Sequence, residues 1–196
     1  INGPIEVDVG RADSVEVAAV LSATSLTDKR ATDLLNASKI EEHVTPDHVR
    51  VATVRGGESG GLQVSYKVTV PAASRVEMTS NNGTLRAGGV SGHVKAVAVN
   101  GGIELAGLGG SVDAASVNGS ISVKMAAVTG RVRLECTNGR IELEVPKDAK
   151  ATLNVRAING GITVTGLTTQ EAAGRRIRSL ESVLNGGGPE IEVRVT

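Results

Sequence analysis

The stretch VKAVAVNGGIEL at residues 94–105 is followed by VDAASVNGSISV at residues 112–123, and this pair decides the fold. Both segments carry the motif Asn-Gly-x-Ile/Leu-x-Val/Leu/Ala. Six copies of it begin at Asn2, Asn82, Asn100, Asn118, Asn138 and Asn159. From the second copy to the sixth, the spacings are 18, 18, 20 and 21 residues. A period near 18 in a Gly- and Val-rich sequence is typical of a stacked array, in which each unit covers the apolar face of its neighbour.

Apolar and polar residues alternate on both sides of each Asn, which predicts strands with one buried face. The position three residues after the Asn holds Leu85, Ile103, Ile121, Ile141 and Ile162. The position six residues before it holds Val76, Val94, Val112, Val132 and Leu153. Glycines nine residues apart (Gly83, Gly92, Gly101, Gly110 and Gly119) predict two strands per coil. We expect these glycines to supply the positive φ of the corners between strands.

Asn-Gly is also a strong hairpin signal, so an antiparallel meander is the alternative. In-register parallel stacking places Ile over Ile and Asn over Asn, whereas a meander gives no reason for such columns. We therefore predict an all-β protein whose main part is a single-stranded β-solenoid of about 18–21 residues per coil.

The remaining segments predict how the array is completed. Residues 1–75 are expected to form a β-rich cap at one end, with a strand from Val15 to Leu21 pairing with the strand at Ile5–Val9. The cap would contain one short helix from Thr27 or Asp28 to about Ala37, and a hairpin over 40–54. Residues 76–196 are expected to form the solenoid, with an irregular loop at 166–188 and a last strand of the pre-Asn type at 191–195.

Composition and charge restrict the function. The 196 residues include 25 Gly, one Tyr, and no Phe or Trp, which suits a thin aliphatic core. Lys plus Arg and Asp plus Glu both total 21, so the chain lacks the basic excess and the stacking aromatics of a nucleic-acid binder. The lone Cys136 excludes an internal disulfide. No apolar run has membrane-spanning length, so we expect any membrane contact to be made outside this segment.

Several residues are candidates for a functional site. The Asn column is interpreted as a corner ladder of side-chain amides. Glu104 and Glu142 share a column two coils apart, roughly 9–10 Å at the usual strand spacing, which is within the range of an inverting glycosidase pair. Solvated outward side chains are the preferred interpretation for both. The basic group Arg175, Arg176 and Arg178 is the candidate for contact with an anionic partner.

The remaining candidates predict no metal and no cofactor. Asp113 and Asp148 occupy unmatched positions, so a calcium-binding β-roll is not expected. His43 and His48 flank a turn and could meet across the hairpin, but two ligands make a poor metal site, and His93 lies far from them in sequence. Cys136 falls in a small inward column and is expected to be a buried thiol.

The run from Val64 to Gly83, the V-N-G-G-I-E-L and V-N-G-S-I-S-V units, and the segment Leu143–Ala149 together resemble the bacterial "putative adhesin" family of β-strand-repeat domains of unknown function. This resemblance implies a single-chain β-solenoid that is exported or tethered at the cell envelope. It implies no catalytic residue. We therefore expect a non-enzymatic scaffold or adhesion module that binds a protein or glycan of the envelope. The alternatives are a structural protein that self-associates end to end and a glycan-active β-helix enzyme.

Overall fold

The computed structural model describes residues 2–11, 14–45, 48–54, 56, 61–166 and 176–196. Within these ranges the chain is built of strands and one helix, which confirms the all-β prediction. In the first part the elements are β1 (Ile5–Val9), β2 (Glu16–Ala23), α1 (Asp28–Ala37), β3 (Lys39–Thr45), β4 (His48–Val54), β5 (Leu62–Val70), β6 (Val76–Asn82), β7 (Leu85–Gly88) and β8 (Val94–Asn100). They continue as β9 (Ile103–Leu108), β10 (Val112–Asn118), β11 (Ile121–Met125), β12 (Val132–Asn138), β13 (Arg140–Glu144), β14 (Ala151–Ala157), β15 (Gly161–Thr165), β16 (Arg176–Ile177), β17 (Ser179–Leu184) and β18 (Glu190–Val195).

Two large sheets enclose the core. Sheet I has the strand order β16-β15-β13-β11-β9-β7-β1-β5-β2, and sheet II has the order β17-β14-β18-β12-β10-β8-β6. In the five copies from Asn82 onward, the strand before the Asn lies in sheet II and the strand after it lies in sheet I. The inward-facing Val, Ile, Leu and Ala side chains of both sheets form one buried cluster. The strands β3 and β4 form a separate hairpin.

The coils stack in parallel and in register. In sheet II, Val112 pairs with Val94 on one side and with Val132 on the other. In sheet I, Ile121 pairs with Ile103 and Ile141 in the same way. The predicted like-over-like columns are therefore confirmed, and the antiparallel meander is excluded for these strands. The fold is β-solenoid-like, and each buried Val, Ile or Leu contributes about 1.5–3 kcal/mol to its stability.

Of the five corner glycines expected to have a positive φ, Gly83 has one, at 156°, and the other four are required for a different reason. A Cβ atom on Gly101, Gly119 or Gly139 would lie 2.0–2.1 Å from the carbonyl oxygen of the glycine one coil earlier. Neighbouring coils approach too closely at this corner for any side chain, and none of these three glycines has a positive φ. A positive φ is needed at Gly107, where φ is 66° and the pairing of β9 with β11 shifts by one residue.

The N-terminal strand is a rung of the array. β1 lies between β5 and β7, with parallel pairing on both sides, and Ile5 stacks on Leu85. The expected pairing of β1 with β2 was wrong, because β5 lies between them and β2 pairs with β5 in antiparallel orientation. The reason is that β1 follows Asn2-Gly3, the first copy of the motif, and presents the same backbone edge as the later copies. The division of the chain at residue 75 stays a prediction.

The predicted helix and hairpin are present. Thr27 is the N-cap of α1, and its hydroxyl accepts a hydrogen bond of 3.4 Å from the backbone N–H of Arg30. The antiparallel pair β3–β4 matches the expected hairpin, whose proposed turn at 46–47 lies outside the described residues. Ile40 and Val51 pack against the core cluster. The β3–β4 hairpin thus packs apolar side chains against the core at the N-terminal end of the array.

The C-terminal part differs from its prediction. Of the expected irregular loop at 166–188, residues 167–175 lie outside the described ranges, whereas β16 and β17 pair antiparallel with β15 and β14. These short strands are held by long-range pairing, and Ile177 and Leu184 reach the core. β18 keeps the pre-Asn register, with Ile191 stacked on Val132 and Val195 on Cys136. It lies between β12 and β14 in sheet II, although it follows both of them in the chain.

No helix among the described residues is long and apolar enough to cross a membrane.

Candidate functional site

An open groove of about 750 Å³ lies on the outer face of sheet I and crosses β1, β7, β9, β11 and β13. Its lining includes small residues, namely Gly88, Gly102, Ala106, Ser120 and Ser122. Its charged side chains are Glu6, Asp8, Arg86, Glu104, Lys124, Arg140 and Glu142. We call this surface the groove. Because the small residues repeat from coil to coil, a ligand can lie close to the backbone along several rungs.

Arg86 and Glu104 form the firmest ion pair of the groove. Arg86 donates from Nε to Glu104 Oε2 at 2.8 Å and from Nη2 to Oε1 at 3.3 Å. This two-point hydrogen bond, with the charge of the carboxylate, raises the pKa of Arg86 above its usual range. The two side chains are about half exposed, so the pair orders the groove more than it stabilises the fold.

The two carboxylates predicted to share a column do so. Glu104 pairs in register with Ser122, which pairs in turn with Glu142. Glu104 is bound through both oxygens to Arg86, while Ser122 separates it from Glu142. On the next row, Lys124 forms an ion pair of 3.2 Å with Glu144. The groove thus offers hydroxyl, carboxylate, guanidinium and ammonium groups on a nearly flat floor, which suits a polar, hydroxyl-rich ligand.

The outer face of sheet II carries an alternating row of charges. Glu77, Lys95, Asp113, Arg133 and Glu192 are successive partners across β6, β8, β10, β12 and β18. Sequence reasoning missed this row, although its first four members all lie five residues before a motif Asn. Glu192 could not be found in this way, because its place depends on where β18 inserts.

Two of these charges are held by neighbours on their own strands or loops. Arg75 donates to Glu77 Oε1 at 2.7 Å, and this hydrogen bond lowers the pKa of Glu77. Arg133 donates to Glu135 Oε1 at 2.7 Å, and this hydrogen bond raises the pKa of Arg133.

Among the residues that the structure describes, Glu192 is the one charged residue that is buried. Its carboxylate accepts a hydrogen bond of 3.0 Å from Arg131 and forms an ion pair of 2.5 Å with Arg194. Since a buried carboxylate is costly unless it is paired, the two arginines are what allow β18 to occupy its place.

The Asn column is a hydrogen-bonded ladder, as predicted, but its membership differs. Asn82, Asn100, Asn118 and Asn138 each donate from Nδ2 to the Oδ1 of the Asn one coil earlier, over 2.7–3.0 Å, and the first acceptor is Asn2. Asn159 was expected in the column and does not join it, because β18 separates β14 from β12. The ladder lies at an exposed corner, and its side-chain amides hydrogen-bond to one another.

A second column of hydrogen bonds runs inside the same corner. Ser80, Ser116 and Cys136 donate to the carbonyl oxygens of Gly3, Gly101 and Gly119, at 3.3, 3.1 and 3.1 Å. Cys136 is buried, as predicted, and burial raises the pKa of its thiol. The raised pKa and the lack of exposure make it an inert core thiol.

The other predicted residues do not assemble into a site. In the β3–β4 hairpin, His43 lies opposite Arg50 and His48 lies opposite Thr45, so the two histidines are not direct partners. His93 Nδ1 is 2.7 Å from Ser111 Oγ. Among the described residues, no group of three or more His, Cys, Asp or Glu could hold a metal ion.

The candidate basic group is only partly described. Arg175 lies outside the described residues, and of Arg176 only the backbone is described, paired with Thr163. Arg178 is exposed, and its carbonyl accepts a hydrogen bond of 2.7 Å from the N–H of Ala157. Its role as a partner contact stays a prediction.

The fold and the groove define a β-solenoid-like domain with polar outer faces. Residues 5–194 match the family model described as Toastrack DUF4097, so the chain belongs to this family of domains of unknown function. No curated protein matches the chain. Among solved structures, a "putative cell adhesion protein" from Clostridium sporogenes ATCC 15579 is similar at 11% identity, over 99% of this chain and 84% of that chain, with a TM-score of 0.47.

Proposed function

We propose that this protein is a non-enzymatic binding and scaffold module of the cell envelope, built as a single-stranded β-solenoid. In this proposal the groove of sheet I holds a linear glycan. The observation that carries the proposal is the lining of the groove, in which the small residues Gly88, Ala106 and Ser122 lie on three successive rungs beside charged side chains. Rungs follow one another at about 4.8 Å, so a polymer of similar sugar units can meet equivalent backbone and side-chain groups on each rung.

The chemistry of the groove favours a glycan over a protein as the ligand. Tight protein interfaces depend on large apolar and aromatic side chains that fill pockets. The groove is lined instead by charged side chains and by Gly, Ala and Ser, and the larger apolar residues along it are buried in the core. Arg86, Glu104, Arg140 and Glu142 supply directional donors and acceptors for hydroxyl, carboxyl or amide groups of a sugar chain.

Binding without cleavage is supported by the state of the two carboxylates. Hydrolysis of a glycosidic bond needs one carboxyl group that gives up a proton and a second that activates water. Both oxygens of Glu104 accept hydrogen bonds from the guanidinium of Arg86, which turns the carboxyl group toward Arg86 and not toward a bound glycosidic bond. The proposed location outside the cytoplasm is supported by the resemblance described above. Fractionation of cells that carry the native protein tests it.

A sedimentation assay with purified peptidoglycan, and affinity electrophoresis with a panel of soluble neutral and anionic polysaccharides, test the binding. Ser122→Arg places a long side chain on the floor of the groove and should weaken binding at least about tenfold, which corresponds to about 1.4 kcal/mol. Ser65→Arg is the matched control, since Ser65 faces outward on β5 of the same sheet and does not line the groove.

The control should bind like the unchanged protein. If the unchanged protein binds none of these polymers, or if the two variants bind equally, the groove is not a glycan site. Release of reducing ends by the unchanged protein, lost on Glu104→Gln or Glu142→Gln, would show that the module is an enzyme instead.

A further inference from the structure

The outer face of sheet II carries an apolar patch, which we call the valine patch. It consists of Val97 and Val99 on β8 and of Ala115 and Val117 on β10. Val97 and Ala115 are register partners, and Val99 and Val117 are 39% and 42% exposed. Nothing in the described part of the chain covers this patch. On β8 and β10, every outward-facing side chain between the charged pair Lys95 and Asp113 and the Asn ladder is apolar.

The charge row of Glu77, Lys95, Asp113 and Arg133 runs beside the valine patch, across the same strands. Its signs alternate from β6 to β12. Lys95 and Asp113, at the centre of the row, have no salt-bridge partner among the described residues. Their charges therefore remain open to a partner that approaches the face.

We propose that the outer face of sheet II binds a second copy of this chain, face to face, around a two-fold axis that runs parallel to the strands between β8 and β10. This operation keeps the strand direction and reverses the order of the coils. It sets Lys95 opposite Asp113 of the second copy, and Glu77 opposite Arg133 of the second copy. All four facing pairs generated by the symmetry are of opposite charge.

The same axis also matches the valine patch to itself. Val97 comes opposite Ala115 of the second copy, and Val99 comes opposite Val117 of the second copy. A two-fold interface must be self-complementary. The charges Glu77, Lys95, Asp113 and Arg133 all meet opposite charges when the axis passes midway between β8 and β10, which is also the midpoint of the valine patch. Glu192, the fifth member of the row, is buried and paired with Arg131 and Arg194, so it takes no part in these contacts.

The other simple arrangement is unfavourable. A two-fold axis parallel to the length of the solenoid would place each strand over its own copy and would reverse the strand direction. Lys95 would then meet the valine side of the face, and its ammonium group would lose water without gaining a counter-charge. The charge pattern thus selects one symmetry.

The size of the face predicts the strength of the contact. Four strands of seven residues cover about 23 Å by about 19 Å, so roughly 400–450 Å² per copy, before the surrounding side chains are counted. The total is near the lower limit of specific interfaces, about 1,000 Å². We therefore expect a monomer–dimer equilibrium that depends on concentration, rather than a permanent dimer.

Sedimentation velocity over a range of protein concentrations tests the proposal. The unchanged chain, of 19.9 kDa, should shift toward twice this mass as the concentration rises. Asp113→Lys places two lysines opposite each other in both central pairs, and Lys95→Asp places two aspartates there. Each single variant should raise the dissociation constant of the dimer at least about tenfold, because like charges face each other across the interface.

The decisive result comes from mixing the two variants. In a heterodimer of Lys95→Asp with Asp113→Lys, every central pair is again of opposite charge, so an equimolar mixture should recover the association that each variant lacks alone. Unfolding cannot imitate this recovery. Lys67→Asp, a charge reversal on the outer face of sheet I outside the groove, is the control and should associate like the unchanged chain.

If the unchanged chain stays monomeric at all concentrations, the proposal is wrong. It is also wrong if the dimer is insensitive to both single variants, or if the mixture does not recover. Because the groove lies on the opposite sheet, glycan binding and this association can fail independently, and each experiment reports on one proposal only.

Discussion

At the scale of single residues, the Asn ladder shows how one repeated side chain serves as both donor and acceptor. Asn100 donates to Asn82 at 3.0 Å and accepts from Asn118 at 2.9 Å. Every amide in the ladder points the same way, so the hydrogen bonds form a directed chain along the solenoid.

Replacement of Asn100 by Ala should remove two of these hydrogen bonds from the middle of the ladder. Since each net hydrogen bond contributes about 0.5–1.5 kcal/mol, we expect the free energy of unfolding to fall by about 1–3 kcal/mol. Urea denaturation followed by circular dichroism measures the change. Asn81→Ala is the control, because Asn81 is exposed and lies next to the ladder without joining it. Equal losses for the two variants would show that the ladder contributes nothing specific.

Cys136 should make the free energy of unfolding decrease as the pH becomes alkaline. Burial raises the pKa of the thiol in the folded state, so the folded state prefers the protonated form. The stabilisation that comes from keeping this thiol protonated is complete below the pKa of the unfolded thiol, about 8.5. It is lost as the pH rises through the higher pKa of the folded state.

The unchanged protein should therefore lose more stability between about pH 7 and about pH 9.5 than Cys136→Ser does. Serine does not titrate in this range, and its hydroxyl can donate to Gly119 as Ser116 donates to Gly101. Urea midpoints at the two pH values measure the difference. An identical decline in both proteins would assign the alkaline sensitivity to other groups.

At the scale of elements, β18 is the strand on which the C-terminal half depends. It pairs in parallel with β12 on one side and with β14 on the other, so it joins two coils that would otherwise be apart. Arg131 and Arg194 hold its Glu192, and Ile191 and Val193 fill the core. Loss of β18 would leave two unpaired strand edges facing each other.

Ile191→Ala should destabilise the protein by about 2–5 kcal/mol, because the side chain is fully buried between two strands. Hydrogen exchange should then quicken together in β12, β14 and β18. Val183→Ala on β17 is the control, since Val183 is mostly exposed and should change stability by no more than about 0.5 kcal/mol. Faster exchange confined to β18 would show that its neighbours pair without it.

The elements also show where sequence reasoning succeeds. The strands of the array and α1 follow from local alternation and a local cap, so their bounds could be predicted. β16 and β17 could not, because they are short and their partners β15 and β14 are set by long-range pairing. Of the residues that line the groove, only Glu104 and Glu142 were predicted as candidates from the sequence. Its small residues come from separate rungs, and they form one surface only when these rungs pair.

At the scale of the whole molecule, β1 ties the cap to the array. It lies between β5, which belongs to the cap, and β7, which begins the run of complete coils. Tyr66, the chain's single aromatic residue, lies on β5, and its hydroxyl is 2.7 Å from Thr53 Oγ1 of the β3–β4 hairpin. The intrinsic fluorescence of the protein thus reports on the cap alone.

We expect the cap and the array to unfold together. Tyrosine fluorescence and far-ultraviolet circular dichroism should give the same urea midpoint, because one sheet and one core cluster run through both parts. Thr53→Val, which removes the hydrogen-bond partner of the Tyr66 hydroxyl and keeps the fluorophore, should lower both midpoints equally. A fluorescence transition at lower urea than the circular dichroism transition would show that the cap is an independent unit.

The amino-acid sequence by itself determined the period, the inward columns, the parallel register and the Asn ladder, because each follows from a pattern that repeats within about 20 residues. Only the tertiary structure decided which strands are neighbours at the two ends. β1 joins the array across 75 residues of intervening chain, and β18 enters between β12 and β14, because backbone edges and apolar faces are satisfied by any strand of the right register. Distance along the chain places no limit on such pairing, and the sequence pattern alone does not specify the partner.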